Sequence, residues 1–403
     1  MALTFLTDHT SPLMRGLADR VVADWNERYS DTPVGLTVLD HEELRDELRT
    51  CLTGAPSADV MTWFAGNRMD SMVGQGLMLD ISAMWKTEGF DQVYLPRFRN
   101  MAGGMGPSYF LPTSHYWWAV YYRPSVFAAA GITDPVTTWD DLTAACRKLT
   151  AAGVTPFALG ARHRCPAAAW FDYLNMRLNG PDVHEALMTL RIPYTDDRIR
   201  RVFAFWRELI EQGYFLGDPG GYDEEEAVAA VLRGEAGMTL TGAYATDEFT
   251  PPGEPDIDFF RFPLIDPDLP IGEDTPVDGY FVPANSASPA EATRFLAHLG
   301  SRQVQQLTIE RLSTLPTRTD VDTERGGRHV AKGMEILRGA DHLSQFYDLD
   351  TPWELANVGM SAFVSFAQDP TRGDELLCEL ESARQHQLGK TPLTASRSMP
   401  ASH

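Results

Sequence analysis

The sequence contains no long apolar stretch and no complete motif of the common enzyme classes. None of its 403 residues belongs to an apolar run of about eighteen, the length that a membrane-spanning helix requires. A G-x-S-x-G nucleophile elbow is missing, and His184-Glu185 is followed by Met188 where a zinc protease has its second histidine. Gly74-Gln75-Gly76 lacks the third glycine of a dinucleotide fingerprint. These absences argue against a serine hydrolase with a nucleophile elbow, a zinc protease and a dinucleotide-binding enzyme.

Cysteine is scarce and dispersed. Four cysteines occur, and no two are spaced as C-x-x-C: Cys51, Cys146, Cys165 and Cys378. Neither a zinc site nor a dithiol redox centre is therefore indicated. We interpret these residues as small hydrophobic side chains, while a disulfide in an oxidising compartment stays open because pairing does not follow from sequence.

Positive charge is also low. Lysine and arginine number 34 against 56 acidic residues, which gives a net charge of −22. Such a chain repels a phosphate backbone, so nucleic acid is not an expected partner. The acidic run 223–226 is typical of a helix first turn. The segment 266–274 resembles a calcium loop only loosely, because Pro270 and Ile271 occupy key positions. We expect no metal and no cofactor.

The order of apolar segments predicts an α/β fold with two domains, since the length exceeds what one hydrophobic core supports. An apolar strand at Leu3–Thr7 precedes Ser11 and Pro12, a cap and a first-turn proline. Thr138 is expected to cap a long helix. Met69–Leu79 reads as a helix, and His115–Tyr122 reads as one strand.

Aromatic residues recur at strand ends and loop starts, where open α/β sheets bind ligands. They are Trp63, Tyr116, Trp117, Trp118, Trp170, Tyr244, Tyr280 and Trp353. A flat ring covers the apolar C–H face of a sugar, and neighbouring Asp, Asn, His and Arg side chains bind its hydroxyls. Of the adjacent Trp117 and Trp118, at most one is expected to face a cleft.

Several segments together resemble one family along nearly the whole chain. They are Asp59-Val60-Met61-Thr62-Trp63 with Gly76 to Ile81, Val120 to Pro124 with Ala130-Gly131-Ile132, Thr138 to Leu142 with Ala152 to Pro156, Arg233 to Met238 with Gly242-Ala243-Tyr244, and Ala287-Ser288-Pro289. The sequence is similar to the extracellular solute-binding proteins of ABC importers, in the group of maltose-binding and multiple-sugar-binding proteins.

The resemblance implies a two-lobed periplasmic-binding-protein fold, each lobe a sheet flanked by helices, with a hinge of several crossings. We place lobe 1 at 1–112 plus 277–313 and lobe 2 at 113–265 plus 320–390. The hinge crossings are placed at 266–276 and 314–319, and residues 391–403 read as a flexible tail.

The expected function is to capture a mono- or short oligosaccharide in the inter-lobe cleft and deliver it to the permease, without catalysis. The predicted ligand-binding residues are His9, Trp63, Asn67, Arg68, His115, Tyr116, Trp117, Trp170, Tyr244, Asp278, Gly279, Tyr280 and Trp353. The bulky Tyr280 departs from the family's glycine-rich loop and is expected to narrow the cleft. The predicted partners are the sugar and the permease subunits, and the chain is expected to be a monomer.

Location and two rival functions remain open at this stage. No basic region and apolar core of an export signal precede Leu3. The chain is therefore expected to be either cytoplasmic or an extracytoplasmic protein, at the cell surface or in the periplasm, whose signal segment is absent from this sequence. In the second case, it would contact the membrane only through a lipid anchor removed with that segment or through the permease. The resemblance favours the second. A glycoside hydrolase and a receptor for a non-sugar solute are the rivals.

Overall fold

The computed structural model describes residues 2–103, 106–244 and 256–390, so the tail predicted at 391–403 lies outside the described residues. The strands are β1 Leu3–Thr7, β2 Val34–Val38, β3 Val60–Phe64, β4 Leu111–His115, β5 Trp118–Tyr122, β6 Thr155–Ala158, β7 Ala236–Gly242, β8 Asp258–Phe260, β9 Gly272–Asp274, β10 Val277–Phe281, β11 Leu315–Pro316 and β12 His342–Ser344.

The helices lie on the faces of the sheets. They are α1 Pro12–Arg28, α2 His41–Thr53, α3 Asn67–Gly74, α4 Ser82–Thr87, α5 Pro96–Met101, α6 Pro124–Ala129, α7 Trp139–Ala151, α8 Cys165–Asn179, α9 Pro181–Met188, α10 Asp197–Glu211, α11 Glu224–Arg233, α12 Pro289–Leu299, α13 Arg302–Ile309, α14 Gly327–Arg338, α15 Tyr347–Asp350, α16 Trp353–Gln368 and α17 Gly373–Lys390. Along the described residues, every helix is too short or too polar to cross a lipid bilayer.

One lobe is built on a six-stranded sheet in the order β11-β4-β10-β3-β1-β2. Strand β1 pairs in parallel with β2 and β3, whereas β10 is antiparallel to both β3 and β4. The buried side chains of this sheet and of its covering helices form one hydrophobic core, which includes Phe5, Trp25 and Trp63. The expected helix-flanked sheet is present.

The other lobe is built on a four-stranded sheet in the order β6-β7-β5-β8. Its largest core contains Trp170, Phe171 and Trp206, and it is covered by the long helices α8, α10 and α16. A small parallel pair, β9 with β12, lies beside α8. The mixed α/β, two-lobed fold predicted from sequence is therefore confirmed.

Local capping chemistry explains where helices begin. The Ser11 hydroxyl accepts a hydrogen bond from the backbone N–H of Met14 at 3.3 Å, ahead of the first-turn Pro12. Thr138 and Asp141 form a complete capping box at the start of α7. All four cysteines lie in the described part of the chain and are free thiols.

Two predicted elements differ from the structure. The segment His115–Tyr122 is not one strand, because β4 ends at His115 in the six-stranded sheet and β5 begins at Trp118 in the four-stranded sheet. The predicted helix Met69–Leu79 instead ends at Gly74, and Gly76 adopts a left-handed φ of 70° that terminates helical geometry. A helix that starts at Asn67 places its first turn at the junction between the lobes.

Candidate ligand-binding site

The two lobes meet at the loop between β3 and α3. Phe64, the last residue of β3, packs against the main hydrophobic cores of both lobes. Gly66 follows with φ 124°, and a Cβ atom there would lie 2.6 Å from the backbone oxygen of Leu349 in α15. Only glycine combines this backbone conformation with so close an approach. The loop between β3 and α3 therefore packs directly against α15 of the opposite lobe.

An ion pair crosses the same junction. Arg68 Nη2 of α3 lies 3.0 Å from Asp348 Oδ2 of α15, and the two side chains are only 6% and 12% exposed. The guanidinium carbon also lies 4.1 Å from the ring centroid of Trp353, at the start of α16. Trp353 keeps 40% of its surface exposed. Charge pairing and a cation–π contact thus converge on one arginine between the lobes.

A second carboxyl of α15 is held in an unfavourable setting for a charge. Burial first, and then the nearby carboxylates of Asp70 and Glu185, raise the pKa of Asp350 to about 6, against the opposing effect of the hydrogen bond from the Asn67 backbone N–H. A carboxyl with a raised folded-state pKa gains a proton on folding between about pH 4 and 6. Asp350 therefore makes a favourable contribution to the free energy of unfolding at low pH, and this contribution is lost as the pH rises to about 6.

Asp350→Asn is expected to be more stable than the parent at pH 8, by up to about 2 kcal/mol, and equally stable at pH 4. The neutral amide removes the cost of burying a charge at the loop of Asn67. Urea unfolding of both proteins from pH 4 to 8 measures the difference. Asp19→Asn, on an exposed face of α1, is the matched control and should show no such trend. A constant difference for Asp350→Asn across the range would contradict the prediction.

Two tyrosines and a glutamate form the wall on the four-stranded side. The rings of Tyr116 and Tyr244 contact edge to face with centroids 5.7 Å apart. The Tyr244 hydroxyl donates to the Glu224 carboxylate at 2.8 Å, and Glu224 also accepts from Thr241. Burial raises the pKa of Tyr116, and Asp278, Cys165, Glu224 and Asp348 all raise it further. Carboxylates of both lobes therefore surround this one ring.

The six-stranded side contributes residues of β10 and the end of β1. Asp278 and Tyr280 are two residues apart and share a face, and the Tyr280 ring contacts Phe5 edge to face at 5.4 Å. His9 lies 6.3 Å from that ring, and burial lowers the pKa of His9 despite the nearby Asp8. Between them, a Cβ on Gly279 would lie 2.1 Å from the Leu111 backbone oxygen, so glycine is required for β10 to pair with β4.

Four predicted ligand residues are instead placed in the interior. Trp63 is 2% exposed in the core of the six-stranded lobe, and Trp170 is fully buried against Phe157, Phe215 and Phe262. Trp117 is also fully buried and stacks on Phe259. His115 is 3% exposed, with its Nδ1 3.0 Å from Thr275 Oγ1. These four side chains offer no face to a ligand, so we leave them out of the site.

Neighbouring residues that the sequence reasoning missed take their places. Phe64 rather than Trp63 lies between the lobes, and Trp118 rather than Trp117 packs near Tyr244, with centroids 6.1 Å apart. Trp118 is itself only 3% exposed and belongs to the core of the four-stranded lobe, so it borders the site and presents no more surface to a ligand than Trp63 does. Glu224, Asp348 and Asp350 were also missed. The alternation of strand side chains was the available signal for the two aromatic residues.

The arrangement is suited to binding a neutral, hydroxyl-rich molecule. Tyrosine and phenylalanine rings offer apolar faces, the carboxylates of Glu224 and Asp278 accept hydrogen bonds, and Arg68 donates them. A phosphate or other anion would meet mostly acidic groups here. The residues come from both lobes, so a ligand held among them touches each lobe at once.

Comparison with known proteins is consistent with this geometry. The chain is 28% identical to an ABC transporter extracellular-binding protein of Pyrococcus horikoshii over 70% of this chain, and it spans 63% of that relative's length. It is 26% identical to a probable sugar-binding periplasmic protein of Mesorhizobium japonicum, covering 76% of this chain and 75% of the relative. The solved structure of the bacterial solute receptor AcbH superposes with a TM-score of 0.88 at 26% identity, over 96% of this chain and 98% of the receptor.

The family model for bacterial extracellular solute-binding proteins matches residues 8–306, which include both sides of the site except for the segment that carries Asp348, Asp350 and Trp353. This match covers most of the chain and agrees with the two-lobed fold. The chain belongs to the bacterial extracellular solute-binding protein family.

Proposed function

We propose that the chain is the carbohydrate receptor of an ABC import system, which captures a mono- or short oligosaccharide between its lobes and delivers it to the membrane permease. The observation that carries this proposal is the junction of the two lobes, where Arg68 of one lobe pairs with Asp348 of the other, and where the charges of Asp278 and Glu224, one from each lobe, both act on Tyr116. Aromatic faces beside hydroxyl-binding groups match the surface of a pyranose.

We keep the predicted division into lobes at 1–112 plus 277–313 and 113–265 plus 320–390, and move the first boundary from 112 to His115 because β4 pairs within the six-stranded sheet. The separate six-stranded and four-stranded sheets support this division, and the hinge is assigned to 266–276 and 314–319. Sugar binding would draw the lobes together, since a ligand that contacts both stabilises the closed form. The closed form is then the state that the permease recognises. The receptor acts outside the cytoplasm as a monomer.

Calorimetry with purified protein tests the sugar assignment. The panel contains galactose, other monosaccharides, short oligosaccharides and amino acids. Galactose comes first because AcbH is described as exclusively preferring β-D-galactopyranose. We expect one sugar to bind with one site per chain and to be recovered unchanged. Cleavage of the bound sugar would favour a glycoside hydrolase, and a response to amino acids alone would overturn the carbohydrate assignment.

Asp278→Asn is expected to weaken sugar binding at least tenfold, because a hydrogen bond to a charged acceptor contributes about 1.5–3 kcal/mol. The change keeps the size of the side chain and removes its charge. Asp19→Asn, on exposed α1, is again the matched control and should bind like the parent. An Asp278→Asn protein that binds the sugar as tightly as the parent would remove Asp278 from the proposed site.

A further inference from the structure

Three side chains outside the cleft converge in the interior of the second lobe. Among the described residues, Asp172 of α8, His184 of α9 and Asp274 at the end of β9 each offer one ligand atom within 4.8 Å of the other two. All three side chains are fully buried. They come from three separate elements and play no part in the sugar site proposed above.

The atoms that face one another lack hydrogen-bond partners within the described chain. They are Asp172 Oδ1, His184 Nε2 and both carboxylate oxygens of Asp274. Asp172 Oδ1 lies 3.7 Å from His184 Nε2, which is too long for a hydrogen bond. The outer atoms are bonded: Asp172 Oδ2 accepts from the Tyr347 backbone N–H at 2.9 Å, and His184 Nδ1 lies 3.2 Å from the Asn175 amide. The inward atoms are thus held in place but unsatisfied.

The local charge is also unbalanced. Two fully buried carboxyl groups, those of Asp172 and Asp274, lie close to a single imidazole. The nearby buried cation, Arg177, is already bound to Glu273 and to two backbone oxygens. Uncompensated buried carboxylates are costly. Either protons or a cation must neutralise them.

We propose that Asp172, His184 and Asp274 form a structural site for a divalent transition metal, with Zn²⁺ as the best-fitting ion. One imidazole nitrogen and two carboxylates favour zinc over calcium or magnesium, which prefer oxygen ligands alone. With bonds of about 2.1 Å, a separation of 3.7 Å between Asp172 Oδ1 and His184 Nε2 subtends about 120° at the metal. Asp274 supplies the third ligand, and its second oxygen or a water the fourth.

Metal binding at His184 Nε2 requires the proton to be on Nδ1. In the present arrangement the Asn175 amide nitrogen lies 3.2 Å from Nδ1, and Asn175 Oδ1 accepts from Asn179 Nδ2 at 2.9 Å. Metal binding therefore requires the Asn175 amide to turn its oxygen toward Nδ1 and to give up the bond from Asn179, so that Nδ1–H gains the acceptor that a metal-bound histidine needs. The metal also displaces any proton from the two carboxyls, so binding releases protons into the buffer.

A metal at this site would bind the proposed hinge segment 266–276 to the second lobe through Asp274. Asp274 precedes Thr275, whose backbone N–H donates to Ser344 and whose hydroxyl lies 3.0 Å from His115 Nδ1. Asp172 in turn holds Tyr347, the first residue of α15. A metal here links α8, α9 and the proposed hinge segment 266–276, and this position is independent of which ligand the cleft binds.

The test uses the full chain stripped with EDTA and then titrated with Zn²⁺ by calorimetry. We expect one equivalent to bind, with proton release and a rise of several degrees in Tm. Co²⁺, titrated in the same way, should give visible absorption bands of a low-symmetry site with nitrogen ligation. Elemental analysis of protein purified without chelator is a second measurement that needs no variant, and about one transition-metal ion per chain is expected.

Asp172→Asn and Asp274→Asn keep the shape of the protonated carboxyls, so both should fold in EDTA and weaken Zn²⁺ binding at least 100-fold. His184→Asn should do the same, whereas the control His342→Asn, at a partly exposed histidine near Glu185, should bind like the parent. The proposal is overturned if the stripped parent takes up no stoichiometric Zn²⁺, or if the two aspartate variants bind it as tightly as the parent. Protons alone would then neutralise the cluster.

Discussion

Arg177→Met is expected to lower the free energy of unfolding by about 3–5 kcal/mol, the cost of breaking a buried ion pair from one side. Arg177 Nη2 donates to Glu273 Oε1 at 2.6 Å, and the two side chains are 3% and 0% exposed. The same guanidinium donates to the backbone oxygens of Phe262 and Gly272. One arginine of α8 therefore satisfies three acceptors on two other segments, one at Phe262 and one at Gly272 and Glu273 of β9.

Methionine fills much of the same volume but donates no hydrogen bond. The backbone oxygens of Phe262 and Gly272 lose this donor. Of the two arginines that pair with Glu273 in the described part of the chain, Arg261 is left, with its Nε 3.1 Å away and its side chain 26% exposed. The loss should be measured by denaturant unfolding in EDTA, so that the metal proposed above does not contribute.

Arg198→Met is the matched control for Arg177→Met. Arg198 binds Asp196 through two hydrogen bonds, but its side chain is 47% exposed, so its removal should cost at most about 1 kcal/mol. If the two variants lost equal free energy of unfolding, burial would not be the reason for the contribution of the Arg177–Glu273 pair to stability.

Much of the fold could be predicted because its signals are local. The capping residues Ser11 and Thr138 and the left-handed Gly234 mark helix ends within a few residues of sequence. The change of sheet between His115 and Trp118 left no such mark, since the aromatic and β-branched residues on either side continue one apparent strand. The segment becomes two strands only because β4 pairs with strands of one sheet and β5 pairs with strands of the other.

The site was harder to predict than the fold for two physical reasons. Side chains on a strand alternate, so an error of one residue exchanges a cleft residue for a core residue, as with Phe64 and Trp63. In addition, α15 has only four residues, Tyr347–Asp350, and so shows no helical periodicity. Asp348 and Asp350 gave no sequence signal for that reason.

The buried cluster of Asp172, His184 and Asp274 could not have been predicted from the spacing of ligand residues in the sequence. Asp172 and Asp274 are about a hundred residues apart, and His184 lies on a different helix from either. Metal motifs are recognisable in sequence when their ligands share a turn or a helix face. Ligands brought together by packing between α8, α9 and β9 become visible only in three dimensions.

Arg68→Met is expected to weaken sugar binding about 100-fold, equivalent to about 3 kcal/mol, provided that the cleft binds the sugar as proposed. Arg68 and Asp348 belong to different lobes, so their 3.0 Å contact exists only when the lobes are together. If the lobes close on the sugar as proposed, the pair and the Trp353 contact would stabilise the closed form selectively. Without the arginine, Asp348 would be enclosed on closure without its charge partner.

Stability and affinity should separate in this variant. The open form exposes both groups to water, so Arg68→Met should change Tm without sugar by far less than it changes Kd. Small-angle scattering should show a larger radius of gyration at a sugar concentration that closes the parent. Arg15→Met, at an exposed position of α1, is the matched control and should bind like the parent.

A result in which Arg68→Met binds sugar within threefold of the parent would mean that closure does not depend on this pair. The contact of Gly66 with Leu349 and the packing of Phe64 against both cores would then have to supply the preference for the closed form. The double variant Arg68→Met with Asp348→Asn separates the loss of attraction between the two charges from the cost of leaving the Asp348 carboxylate buried without a partner. If the penalty of the single variant comes from an unpaired buried carboxylate, the double variant should recover part of the lost affinity, because the neutral amide costs less to enclose.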